Sequence, residues 1–124
     1  MAIKKILIVD DSPTERLILS KILSKNGYQV IMAESGAQAI TVAAESKPDL
    51  VLMDIVMPDV NGFQATRMFL KDQELRDIPI VICSTKGQEI DKIWGKRQGA
   101  KDYIVKPIVE AELLRKIAQF NKPD

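Results

Sequence analysis

Five short aliphatic runs, each followed by a stretch of helical period, constrain this 124-residue chain more than any other feature. They cover residues 6–9, 28–32, 50–53, 80–83 and 103–105. Runs such as Ile6-Leu7-Ile8-Val9 and Leu50-Val51-Leu52-Met53 are apolar throughout, with no polar face to offer water. Strands of that kind are buried on both sides, as in a parallel sheet flanked by helices. The regular alternation therefore predicts an α/β fold: a five-stranded parallel sheet, doubly wound with five helices. No linker, repeat or low-complexity tract interrupts it, so residues 1–124 read as one domain with no output module. The closing Asn121-Lys122-Pro123-Asp124 is too short to lead to one.

Local punctuation places the helices. Ser12-Pro13-Thr14-Glu15 reads as a helix start, with Ser12 as N-cap, Pro13 in the first turn and Glu15 completing a capping box. Leu17, Ile18, Ile22 and Leu23 are then expected on one face, and Asn26-Gly27 ends the helix. A second helix from Ser35-Gly36 carries Ala39, Ile40, Ala43 and Ala44 and ends at Lys47-Pro48. Asn61-Gly62 opens a third, with Phe63, Thr66, Phe69 and Leu70. A fourth runs over residues 88–98 with Ile90, Ile93 and Trp94, despite Gly95, which costs about 1 kcal/mol relative to Ala. The last helix carries Leu113, Leu114, Ile117 and Phe120.

Composition removes whole classes of function. Eighteen basic against seventeen acidic residues give a net charge of +1, which supports neither a nucleic-acid surface nor a membrane-surface binder. Histidine is absent, so histidine zinc sites, Ser-His-Asp triads and a histidine phosphocarrier are excluded. Cys83 is the single cysteine, so no internal disulfide can form. Its place inside a strand reads as a buried, inert thiol. The apolar stretch after Met1-Ala2-Ile3-Lys4-Lys5 is too short for a secretory signal, and no run approaches the ~18–20 residues of a membrane span. A cytoplasmic location is expected.

The chemistry is written where the runs end. Asp10 and Asp11 follow the first, Asp54 the third, Ser84 and Thr85 the fourth, and Lys106-Pro107 the fifth. In an open parallel sheet these ends share one edge, the edge at which such folds bind ligands. A strand order of 2-1-3-4-5 sets the first and third strands side by side and gathers Asp10, Asp11 and Asp54 at the switch point. At ~5 Å and an effective dielectric of ~20, each carboxylate pair repels by about 3 kcal/mol, so a counter-charge is required. Hard oxygen donors suit Mg²⁺, and Lys106 adds a second positive charge. Carboxylates, Mg²⁺, a lysine and a hydroxyl together suit phosphoryl transfer, with one aspartate as nucleophile. Asp54, held at the end of a buried strand, is the strongest candidate.

Asp10-Asp11-Ser12, Asp54-Ile55-Val56-Met57-Pro58, Ser84-Thr85 and Lys106-Pro107 resemble the motif set of the response-regulator receiver domain, the CheY-like family with a flavodoxin-like fold. The resemblance spans essentially the whole chain, and CheY is itself a standard example of the 2-1-3-4-5 order. It implies Asp54 as phosphoacceptor, with Asp11 and Asp54 ligating Mg²⁺ directly, Asp10 through water and Val56 through its carbonyl. It implies that Lys106 ion-pairs with the phosphoryl group and that the Lys106-Pro107 bond is cis. It further implies that Ser84 moves toward the phosphoryl group and that Tyr103 changes rotamer with it. Val56 and Lys86 occupy the positions that influence attack by water, and Val56 has no amide to orient one. Catalysis of an external turnover is not implied; the chemistry is self-modification.

The stretches 12–15, 62–67 and 91–100 narrow the resemblance to PilH-type regulators, receivers of the chemosensory system that controls type IV pili and twitching motility. The implied partners are a histidine kinase and an output protein on the face of the fourth helix, fifth strand and fifth helix. No nucleic acid or membrane is implied, and the chain is expected to be a monomer. A phosphate sink for a sister regulator fits the same residues. So does a constitutive interaction module with a vestigial site, although intact acids and lysine argue against it. A flavodoxin-like electron carrier is disfavoured, because Asp10-Asp11 would repel a flavin phosphate. Taken singly, each motif has a plainer use: a helix entry, a strand-to-loop turn, a cap. Trp94 reads as partly buried packing, and Lys92, Lys96, Arg97 and Lys101 as a solvated face.

Overall fold

A computed structural model describes residues 2–121; Met1 and residues 122–124, including most of the terminal segment read above, lie outside it. Five strands and five helices alternate: β1 (Lys5–Val9), α1 (Pro13–Lys25), β2 (Gln29–Ala33), α2 (Gly36–Ser46), β3 (Leu50–Met53), α3 (Gly62–Lys71), β4 (Ile80–Ser84), α4 (Glu89–Arg97), β5 (Asp102–Val105) and α5 (Glu110–Ala118). The sheet is parallel throughout in the order β2-β1-β3-β4-β5, as the alternation predicts. Most strand limits differ slightly from the sequence reading: β1 begins at Lys5, β2 is displaced one residue to Ala33, and β5 begins at Asp102. β4 extends to include Ser84, which is therefore the last residue of the strand rather than the first beyond it.

Burial follows the two-sided logic. β3 and β4 are buried at every position, whereas the edge strand β2 is only partly covered. Alternate residues feed two cores. Leu7, Val9, Val51 and Met53 meet Ala39 and Ala43 of α2 and Ala65 and Phe69 of α3. Ile6, Ile8, Leu50 and Leu52 meet Leu19 and Leu23 of α1 and Leu113 and Ile117 of α5. Gly95 explains its own helix cost: a Cβ there would stand 2.8 Å from the Ile82 side chain, so glycine lets α4 lie against β4.

The helix faces need correction. In α1, Leu19 and Leu23 are buried, while Leu17 and Ile18 are exposed, because the sheet-facing stripe is narrower than the apolar pattern. Ala44 and Leu70 also face outward. Along α4, Ile90, Ile93 and Trp94 are exposed, and Gly95 is the buried residue of the helix. Trp94, at 47% exposure, is thus a surface side chain more than a packed one. Cys83 is buried as read, and burial pushes its thiol pKa up to about 12.

These faces predict unequal costs. Leu23→Ala should destabilise the protein by about 2–5 kcal/mol, the range for emptying a core leucine site. Leu17→Ala should stay within about 0.5 kcal/mol. Urea unfolding of both variants checks the difference.

Candidate functional site

Strand register assembles the site. Val9 pairs with Met53 across β1 and β3, so the next residues, Asp10 and Asp54, emerge together. The Asp54 amide donates to the Val9 carbonyl at 2.9 Å, and the Asp10 amide to the Ala33 carbonyl at 3.2 Å. On the other side, Ser84 pairs with Val105, and the Lys106 amide donates to the Ser84 carbonyl at 2.8 Å. Each side chain thus stands on a strand end held by the ladder.

The turn after β3 is shaped by Gly62 at the start of α3. A Cβ there would meet the Asp54 carbonyl oxygen at 2.2 Å, so only glycine fits. Its amide donates back to the Ile55 carbonyl at 2.8 Å, and Asn61 and Gln64 close a capping box ahead of it. The loop bearing Val56 is thereby folded over the sheet edge, with the Val56 side chain exposed.

Asp10, Asp11 and Asp54 each offer a carboxylate oxygen, and the three lie within 4.8 Å of one another. Asp10 and Asp54 are buried and Asp11 is exposed. This donor set, hard oxygens only and partly open to solvent, fits a cation such as Mg²⁺ that retains water ligands. Lys106 joins from β5's end: its Nζ is 2.7 Å from Asp10 Oδ2 and 3.9 Å from Asp54 Oδ1. The lysine therefore neutralises Asp10 first, while staying within one short movement of Asp54.

Electrostatics follow from the crowding. The Asp54 pKa is raised from its ordinary 3.8 to about 6, chiefly by burial. The Lys106 charge opposes that rise, Asp10 adds to it, the Ile55 amide opposes it and Asp11 adds a little. For Lys106, burial alone would depress the pKa. The Asp10 hydrogen bond and the charges of Asp54, Asp10 and Glu15 outweigh it and hold the ammonium above its usual value.

Ser84 is fully buried, and its Oγ accepts from the Lys86 amide at 3.3 Å. Tyr103 is also buried, with its hydroxyl donating to the Lys86 carbonyl. Burial raises the Tyr103 pKa. The Lys86 backbone thus ties the two residues singled out as a switch, Ser84 through its amide and Tyr103 through its carbonyl. The Lys106-Pro107 bond is cis.

One sequence reading fails here. Ser12 does cap α1 through its Oγ, but Glu15 does not complete a capping box. The Ser12 amide is taken by Asp10 Oδ1 at 3.0 Å, which releases the Glu15 carboxylate. Glu15 instead reaches to 3.7 Å from Lys106 Nζ. Arg16 was likewise missed: its guanidinium donates to the Asp10 carbonyl at 2.7 Å and stands 3.6 Å from Glu34. The usable signal was position, since Glu15 stands in the first turn of α1, just beyond the acids that end β1.

Residues 6–118 match the family described as the response regulator receiver domain. The chain belongs to this family. Among relatives of this receiver, Protein PilH of Pseudomonas aeruginosa is 58% identical over 91% of the chain and 93% of its own length. Chemotaxis protein CheY of Thermotoga maritima is 38% identical over 96% of the chain and 98% of its length. Among solved structures, Vibrio cholerae chemotaxis protein CheY4 superposes with a TM-score of 0.89 at 30% identity, covering 96% of this receiver and 99% of that chain. The receiver domain of a Pseudomonas aeruginosa sensor histidine kinase, solved with a magnesium ion coordinated in its active-site cleft, gives 0.87 at 30% identity over 96% and 98%.

The raised Asp54 pKa carries a pH signature. The folded state holds the extra proton, so this contribution to stability is present below about pH 4 and is lost as pH rises through about 6. In chelator, Asp54→Asn should match the parent near pH 4 and exceed it above pH 6, by on the order of 2 kcal/mol. Mg²⁺ at pH 7 should stabilise the parent more than the variant. Denaturant titrations with and without Mg²⁺ read both effects.

Proposed function

We propose that this receiver accepts a phosphoryl group on Asp54 from the phosphohistidine of a histidine kinase and thereby switches a partner-binding surface. The observation that carries this reading is the convergence of Asp10, Asp11 and Asp54 within 4.8 Å, with Lys106 beside them. An Asp54 carboxylate oxygen attacks phosphorus, the phosphorus–nitrogen bond breaks, and its electron pair returns to the imidazole. The product on this chain is an acyl phosphate. Asp10, Asp11, Asp54 and the Val56 carbonyl would hold Mg²⁺, in keeping with the magnesium-bearing cleft of the sensor-kinase receiver. Bound there, the cation supplies charge neutralisation as the phosphoryl oxygens gain negative charge. Lys106 supplies the protein's own share of that neutralisation.

Ser84 and Tyr103 are the switch residues in this reading. Drawing the Ser84 hydroxyl toward a phosphoryl oxygen would break its bond from the Lys86 amide, and the carbonyl of the same residue holds the Tyr103 hydroxyl. The output surface is then the face of α4, β5 and α5. Support comes from the exposed Ile90, Ile93 and Trp94, beside a cleft lined by Glu89, Lys92, Lys96, Asp102, Tyr103 and Lys116, with Lys116 paired to Asp102 at 2.8 Å. Apolar side chains bordered by charges of both signs suit an output protein with an apolar centre and a mixed polar rim.

The 58% identity to Protein PilH supports a place in the chemosensory pathway of type IV pili and twitching motility. Phosphotransfer from that system's kinase tests this assignment, and refusal of the phosphoryl group by the chain would remove the pathway while leaving the chemistry intact. No helix among the described residues is long and apolar enough to cross a membrane.

Two measurements test the chemistry. With acetyl phosphate and Mg²⁺, Asp54→Asn and Asp54→Ala should lose all acid-labile labelling; persistent labelling would end the phosphoacceptor reading. Val56→Asn, which adds an amide able to orient water beside Asp54, should shorten the lifetime of the phosphorylated form by about two-fold or more. A decay rate unchanged by that substitution would refute the role given to Val56.

A further inference from the structure

Lys106 serves more acids than the phosphoryl reading uses. Its Nζ lies 2.7 Å from Asp10, 3.7 Å from Glu15 and 3.9 Å from Asp54. Two of these acids stand on strand ends. Glu15 comes from the first turn of α1 and is partly open to solvent. Its carboxylate is free to reach the lysine because Asp10 has taken the Ser12 amide that a capping box would have given it. The Glu15 amide remains bonded to Ser12 Oγ at 3.3 Å, so the backbone of this residue is fixed while its side chain crosses to the site. Arg16, the next residue, is turned to the Asp10 carbonyl and Glu34, which leaves Lys106 as the cation facing Glu15 among the described ion pairs.

We infer that Glu15 is a positioning residue that sets how readily Asp54 is phosphorylated, by competing with the incoming phosphoryl oxygens for the Lys106 ammonium. The inference rests on the reading of Asp54 as phosphoacceptor and deepens it. A donor must bring its oxygens close to Lys106 before phosphorus is transferred to Asp54. Glu15 holds part of that ammonium's charge and adds a negative charge at the mouth of the pocket. Both effects oppose a dianionic donor more than a less highly charged one, and both weaken with salt. Residue 15 would thereby act as a gate for small-molecule phosphodonors, set at the side chain and separate from the metal ligands.

The experiment measures acid-labile labelling at saturating Mg²⁺ with two donors, acetyl phosphate, a dianion, and phosphoramidate, which carries less net charge at neutral pH. In both reactions Asp54 displaces the leaving group from phosphorus, acetate in the first and ammonia in the second, with a proton taken up by the latter. Glu15→Gln should raise the acetyl phosphate rate by about five-fold at low ionic strength, the size of one exposed charge contact. The gain should be smaller with phosphoramidate and should shrink at high salt. Glu34→Gln removes a nearby negative charge that does not touch Lys106 and should change little. An unchanged rate in Glu15→Gln overturns the inference. So does an equal gain with both donors at all salt concentrations, or an equal gain in Glu34→Gln. Absence of labelling in the unsubstituted protein would instead overturn the phosphoacceptor reading, and the inference with it.

Discussion

The ion pair between Lys106 and Asp10, at 2.7 Å, joins the first strand of the sheet to the last residues before α5. Four carboxylates crowd that edge, and a mostly buried ammonium is the protein's own answer to them. Removing one partner of such a pair leaves an uncompensated charge in a poorly solvated place, which is strongly unfavourable. The pair also has a chemical meaning. Under the proposed role of Asp54 as phosphoacceptor, it parks the lysine on a different acid and leaves Asp54 only partly neutralised. Sheet order matters for this reason: with β1 between β2 and β3, and β5 beyond β3 and β4, the acids adjoin and the lysine reaches them from the side.

The order of elements was legible because it depends on a strong, repeated pattern. Continuous aliphatic runs mark two-sided burial, and strand ends in a parallel sheet lie on one edge. That pattern alone gathers Asp10, Asp54, Ser84 and Lys106 at one edge. Helix faces were less legible. Leu17 and Ile18 fit an apolar stripe by spacing, yet the sheet covers only the Leu19 and Leu23 side of α1. Periodicity defines a stripe but not how wide a neighbour will cover it. The α4 pattern misled for a related reason: a glycine makes the close contact, so the apolar side chains are left outside.

Glu15 illustrates a different limit. The Ser-x-x-Glu spacing has a strong local meaning, that of a capping box. A competing acceptor two residues before Ser12 took the amide, and a lysine ninety-one positions along the chain took the glutamate. Local grammar cannot register a partner so distant in sequence. Tertiary electrostatics decided the outcome, and did so at the site where the chemistry concentrates.

The seating of α4 on Gly95 has a wider consequence. The buried point of this helix is the Gly95 backbone set against Ile82 and Tyr103, while Ile90, Ile93 and Trp94 are about half exposed. Substitutions at Ile90, Ile93 or Trp94 thus leave the folded core largely untouched. Over evolutionary time such a surface can drift and specialise, acquiring new binding preferences while the acid pocket behind it stays unaltered. One scaffold can in this way diversify its listeners without renegotiating how it is built.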